Sequence, residues 1–133
     1  MKFLICLASL GAISLSTTAT PCTAAHFTQS TGQAYLAAES ALLDDDDPAR
    51  AADILTTLQG SGLNCYETLA VHKMKAAALV SQEKYEAAIA ELAATLDHPL
   101  MSADERAEAN YNIGQLYLSL GDETAAARYL GSD

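Results

Sequence analysis

The stretch Ala109-Asn-Tyr-Asn-Ile-Gly-Gln-Leu-Tyr-Leu-Ser-Leu-Gly-Asp-Glu-Thr-Ala-Ala-Ala-Arg-Tyr-Leu130 decides the fold. Apolar or small residues recur at helical spacing in Ala109, Ile113, Gly114, Leu116 and Tyr117. Gly121-Asp122 then stops one helix and caps the next, in which Ala126 and Leu130 share a face. Two short helices joined by one tight turn make a helical hairpin, and the rest of the chain carries the same unit.

Two independent registers extend it toward the N-terminus. Pro48-Ala-Arg-Ala-Ala-Asp-Ile-Leu55, Tyr85-Glu-Ala-Ala-Ile-Ala-Glu-Leu92 and Glu123-Thr-Ala-Ala-Ala-Arg-Tyr-Leu130 align on Ala51, Ala88 and Ala126, which stand 37 and 38 residues apart. A small polar residue followed three places later by Glu or Gln, at Ser30 with Gln33, Asn64 with Glu67 and Ser102 with Glu105, predicts a capping box opening each hairpin. Turn residues cluster in Gln59-Gly-Ser-Gly-Leu63 and His98-Pro-Leu-Met101, where the connections between hairpins belong. No such hairpin buries its apolar stripe alone. A continuous core is therefore expected from Tyr35, Leu42, Ile54, Leu55, Leu69, Leu79, Tyr85, Ile89, Leu92, Ile113, Tyr117 and Leu130.

The placing of Ile113-Gly114, Tyr117, Gly121-Asp122 and Ala126 resembles the tetratricopeptide repeat (TPR), in which small residues let the two helices cross closely and the tyrosine fills the space between them. The middle hairpin adds Lys84-Tyr85-Glu86-Ala87-Ala88-Ile89 and a closing Pro99, with Ala76 and Leu79 where glycine and tyrosine are typical. The first has Glu39 where a small residue is expected but keeps Tyr35, Leu42, Ala51 and Leu55. The family's period is about 34 residues, so the excess belongs in the loops. The resemblance implies an all-α fold, an α-solenoid of about three hairpins (residues 30–63, 64–101 and 102–133) wound as a right-handed superhelix.

The resemblance also implies a non-enzymatic adaptor or scaffold. In this family the first helices of successive repeats line a concave face that receives an extended peptide or a partner's segment. By the match, that face shows Gln33, Leu36, Ser40 and Leu43, then Ala70, Lys73, Ala77 and Val80, then Glu108, Tyr111, Gln115 and Leu118. Leu36, Lys73, Ala77, Val80, Glu108, Tyr111, Gln115 and Leu118 are the candidate partner-binding residues, with Tyr111 either lining the groove or packed against a neighbour. Members that clamp a terminal carboxylate use several Lys, Arg and Asn; here only Lys73 and Asn112 stand at such positions.

With 133 residues the chain has room for one domain. Seven Lys and Arg against 17 Asp and Glu give a formal net charge of −10, which argues against nucleic acid and anionic lipid surfaces as partners. Met1-Lys2 followed by the apolar run Phe3 to Leu15 and then small residues reads as a secretory signal, residues 1–19, too short to span a membrane. Cleavage can follow Ala19 or fall at Ala24 to Ala25, which would also remove Cys22; the favoured cut after Ala19 leaves an irregular lead-in, residues 20–29, and places the mature protein in a periplasm or outside the cell. Cys6 departs with the signal. Cys22 and Cys65 then remain as an even pair in an oxidising compartment, and parity suggests a disulfide between them. A lipid-anchored Cys22 is disfavoured, because Ala19-Thr20-Pro21 lacks the upstream Leu and the small preceding residue of a lipoprotein signal.

Asp44-Asp-Asp-Asp47 lacks the alternating ligands and the glycine of a calcium loop, so Asp47 is read as the cap of a helix beginning at Pro48. His26, His72 and His98 have no second ligand at metal spacing, no nucleophile and base can be paired, and no glycine-rich phosphate turn is present. The reading is a TPR adaptor without cofactor or metal, holding a protein or peptide partner. Its alternative is an N-terminal module of a larger periplasmic protein. Periplasmic repeat proteins that accompany TonB-type energy-transduction systems look similar, through a Tyr-Asn-Ile-Gly-Gln-Leu-Tyr-like first helix after a long loop. The last helix is short and uncovered, so Ala126, Tyr129 and Leu130 are expected to be partly exposed, with a longer natural chain, ranked first, end-to-end self-association or a marginal monomer with a mobile final helix as the consequences.

Overall fold

The computed structural model describes residues 22, 23 and 25–131; the expected signal segment, residues 1–19, lies outside the described residues. Every regular element among them is an α-helix: α1 (Gln29–Leu43), α2 (Pro48–Gln59), α3 (Cys65–Ser81), α4 (Tyr85–Thr95), α5 (Ala103–Ser119) and α6 (Glu123–Leu130). Each helix packs on the next in sequence, and α1 also touches α3. No helix among the described residues is long and apolar enough to cross a membrane.

The three tight turns share one design. A residue with left-handed backbone, Asp46 (φ 52°), Glu83 (φ 57°) or Gly121 (φ 78°), directly precedes the N-cap residue Asp47, Lys84 or Asp122. The N-cap amide then donates back into the preceding helix: Asp47 N–H to the Ala41 carbonyl (2.7 Å), Lys84 N–H to Leu79 (2.9 Å) and Asp122 N–H to Tyr117 (2.9 Å). Two of the caps add a side-chain acceptor. Asp47 Oδ1 takes the Arg50 amide at 3.0 Å, with Pro48 at the first helical position, and Asp122 Oδ1 takes the Ala125 amide at 2.9 Å.

Asn64 and Ser102 form reciprocal capping boxes with Glu67 and Glu105. The box expected at Ser30 and Gln33 does not form: α1 starts earlier, at Gln29, with Thr28 at its N-cap. The described part of the lead-in, residues 22, 23 and 25–28, is irregular but firmly tied, which fixes that start. Cys22 is joined to Cys65 by a disulfide with Cα atoms 5.5 Å apart. Phe27 packs against the rings of Tyr35 and Tyr66 at 4.6 and 5.2 Å between centroids, and the Thr28 amide donates to Glu67 Oε1 at 2.7 Å.

The core lies in three clusters. One joins Ala38, Ala41, Ala51, Ala52, Leu55, Leu58, Val71 and Ala78; a second joins Leu79, Ala88, Ile89, Ile113 and Leu116; a small third joins Leu69, Met101 and Ala109. Helix α3 contributes to all three, and Leu96 packs against the last two. Of the expected core, Leu55, Leu69, Leu79, Ile89 and Ile113 are buried, while Tyr35, Leu42, Ile54, Tyr85, Leu92, Tyr117 and Leu130 are half-buried.

The aligned alanines are the tightest crossings. Ala51 and Ala88 are fully buried, and Ala126 is 1% exposed, contrary to the expectation of an open last helix. Ala126 stands at the same crossing register as the other two and is covered by its own hairpin. Gly114 makes that closeness possible on the α5 side: a Cβ there would lie 2.5 Å from Leu130 Cγ. Tyr129 stacks on Tyr117 with centroids 5.7 Å apart, so α6 is left only half-open.

Candidate functional site

The first helices are α1, α3 and α5, and they are not evenly spaced. α1 touches α3, whereas no Cα of α3 comes within 8 Å of one in α5. The cause lies in the connections. Residues 60–64 link α2 to α3, while the longer 96–102 links α4 to α5 and folds back on itself. The His98 amide donates to Thr95, Met101 to His98, and His98 Nε2 to the Cys65 carbonyl at 2.9 Å, with Nδ1 accepting the Leu100 amide at 3.2 Å. Met101, 4% exposed, is thereby wedged against Leu69 and Ala109 and holds α5 away from α3.

The separation leaves a cavity of about 580 Å³. Its α3 wall is small and apolar, Ala76, Ala77 and Val80, with Lys73 at one end. Its α5 wall is polar along one face, Glu105, Glu108, Asn112 and Gln115, at helical spacing. Leu92 and Thr95 of α4, together with Met101, Ala109 and Leu116, complete the lining. A smaller hollow of about 350 Å³ between α1 and α3 is lined by Tyr35, Glu39, Leu42, Leu43 and Met74 and shares Lys73 and Ala77 with the first. In it, burial pushes the Tyr35 hydroxyl up, with help from the Glu39 and Tyr66 charges.

Lys73 joins the two helices across the end of the cavity. Its Nζ donates to Glu105 Oε1 at 2.7 Å, with both side chains 41% exposed, while Glu105 Oε2 accepts the Ser102 amide at 2.8 Å as the capping-box partner. The Lys73 hydrogen bond first, then those from Ser102, hold the Glu105 carboxyl down at about 2. Among the described residues Lys73 is the single cation lining either hollow, and it is committed to this pair. The nearby Arg106 donates instead to the Met101 carbonyl at 2.7 Å.

Of the residues named from sequence, Lys73, Ala77, Val80, Glu108 and Gln115 share the cavity. Leu36, Tyr111 and Leu118 do not line it, yet all three are exposed on first helices; Tyr111, at 57%, is on the surface and not in the core. The contribution of Leu92 and Thr95 from α4 and of Met101 from the folded 96–102 connection is new, since it depends on packing between elements.

The other polar clusters are structural. Glu91 of α4 accepts from Lys75 Nζ (2.9 Å), Gln59 Nε2 (3.0 Å) and His72 Nδ1, which ties α2, α3 and α4 together. Burial pushes the Glu91 carboxyl up, but those bonds outweigh it and its pKa lies below the ordinary value. The Asp44 to Asp47 run is spent locally, with Asp44 accepting from Ser40 and Asp45 facing Arg50. Among the described residues no three His, Cys, Asp or Glu side chains are grouped so as to hold a metal ion. Comparison with known families, characterised proteins and solved structures finds no match to the chain.

Proposed function

We propose that the protein is an exported, non-catalytic scaffold of TPR type, its three hairpins winding as a right-handed α-solenoid and its first helices forming a groove that holds a segment of a partner protein in the cell envelope. The observation that carries this reading is the distribution of exposed apolar side chains. Of the seven large ones among the described residues, Leu36, Leu43, Val80, Tyr111 and Leu118 are on α1, α3 and α5, and only Leu100 and Leu120 are elsewhere. Exposed apolar side chains concentrated on one set of helices, with two hollows between those helices, offer a docking surface by their chemistry. Among the described residues, the ionisable groups lining the two hollows are the Lys73 and Glu105 pair, Glu39, Glu108 and the Tyr35 hydroxyl, with no nucleophile set beside a base.

The test is capture from envelope extract by the immobilised mature protein, compared with a Tyr111→Glu, Leu118→Glu variant. Both side chains are solvent-facing, so the variant keeps its helicity and melting temperature and loses the captured species. Undiminished capture by the variant would move the partner site off this face.

A further inference from the structure

The groove reading leaves the chemistry of the occupant open, and the two walls of the larger cavity are unlike. The α3 wall offers methyl groups, Ala77 and Val80. The α5 wall offers carboxylates: Glu105 is already paired with Lys73, and Glu108, one turn further along the same face, has no hydrogen-bond or ion-pair partner among the described residues. The cavity therefore carries one uncompensated negative charge, inside a chain whose formal net charge is −10.

Resting on that groove reading, we propose that the cavity between α3 and α5 takes an extended segment of a partner protein carrying a lysine or arginine, its cation on Glu108 and its small aliphatic side chains against Ala77 and Val80. An acidic segment or a free carboxyl terminus meets Glu108 and finds no ammonium to spare, since taking Lys73 would strip Glu105 of its partner. A neutral apolar segment satisfies the α3 wall but leaves Glu108 desolvated beside it. A free metal ion finds too few grouped ligands and nothing for the apolar wall to do. A basic residue flanked by aliphatic ones answers both walls at once.

Panning a phage library of random linear peptides against the disulfide-intact mature protein tests this, in parallel with Glu108→Lys and with Asp53→Lys. The second variant makes the same charge change on the exposed side of α2 and controls for the overall negative field. Selected peptides should be enriched in Lys or Arg next to small aliphatic residues by about two- to fivefold over the input, the range for one partly exposed ion pair. The enrichment should survive Asp53→Lys and vanish in Glu108→Lys, with circular dichroism confirming that both variants fold. Peptides without charge preference, with acidic enrichment, or with the same basic enrichment on Glu108→Lys would overturn the inference while leaving the groove as a docking site. No enrichment of any peptide would overturn the groove reading as well.

Discussion

Glu67 ties the described lead-in to the start of α3. It is 2% exposed, and its carboxylate accepts from the Thr28 amide at 2.7 Å and the Asn64 amide at 3.3 Å, with the Thr28 and Thr31 hydroxyls as further donors. Burial pushes this carboxyl up, yet the hydrogen bonds outweigh it and leave the pKa below the ordinary value. Glu67→Ala removes the acceptor for the lead-in and half of a capping box. A lost cap costs about 1 kcal/mol, and each buried donor left unsatisfied costs about 1 to 3 kcal/mol. Water will reach some of these donors once the side chain is gone, so a total of about 3 to 4 kcal/mol is expected, lowering the melting temperature by very roughly 12 to 25 °C for a domain of this size. Glu67→Gln keeps the shape but turns an amide N–H toward donors, so about half of that loss is expected.

The pH dependence follows from the sign of the shift. A carboxyl whose pKa is depressed by folding contributes stability that is fully present above the unfolded value, near 4.5, and is lost as pH falls through the lower folded value. The gap in unfolding free energy between wild type and Glu67→Gln should be constant above about pH 5.5 and shrink below about pH 4.5. Urea unfolding followed by circular dichroism, with the disulfide intact, measures it. A gap under about 0.5 kcal/mol at neutral pH, or one that does not change down to pH 3, would refute the assignment of Glu67 as a buried carboxylate anchor.

Four further outcomes are expected. Gly121→Ala, at φ 78° with nothing within 4 Å of the added Cβ, should lose about 1 to 2 kcal/mol by conformational strain alone, whereas Glu83→Gly at the equivalent position should gain up to about 0.5 kcal/mol, both read by chemical unfolding. Gly114→Ala improves helix propensity by about 1 kcal/mol but drives Leu130 from its seat, so hydrogen exchange should show α6 opening while α3 and α4 keep their protection. Replacing Cys22 and Cys65 with Ser should cost up to about 4 kcal/mol, because the 43-residue span encloses the whole first hairpin. In Lys73→Met the Glu105 carboxyl, held at about 2 by Lys73, should return toward the ordinary carboxylate range in a carbon-detected NMR titration.

The hairpins were legible because their signals are local. Alanines at a fixed register, polar caps three residues before a Glu and a Gly-Asp turn each act within one turn of helix, and Ala51, Asn64, Ser102 and Gly121 have the roles their neighbours in sequence imply. Left-handed backbone at Asp46 and Glu83 was not legible, since Glu rarely adopts it and a run of four aspartates does not say which one does; only comparison with Gly121 in the folded chain reveals the shared turn. The Ser30 box failed for a non-local reason. Thr28 is fixed by Glu67, thirty-nine positions away, and that contact sets where α1 begins. The cavity was half legible. The repeat resemblance assigned Lys73, Ala77, Val80, Glu108 and Gln115 to facing sides of α3 and α5, and all five line the cavity, but the gap between the helices depends on how 96–102 folds over His98 and Met101. Lys73, a free cation in sequence, became half of an ion pair for the same reason.

Site-specific photo-crosslinking puts the scaffold reading at direct risk. A photoreactive phenylalanine analogue at Ala77, between the two hollows, or at Ala90, on the exposed side of α4, reports what each face touches in the native cell. A protein partner joined efficiently from position 77, absent from position 90 and lost when Tyr111→Glu and Leu118→Glu are added, is the expected result. Crosslinks from position 90 alone, or none from position 77, would contradict a groove that holds a partner.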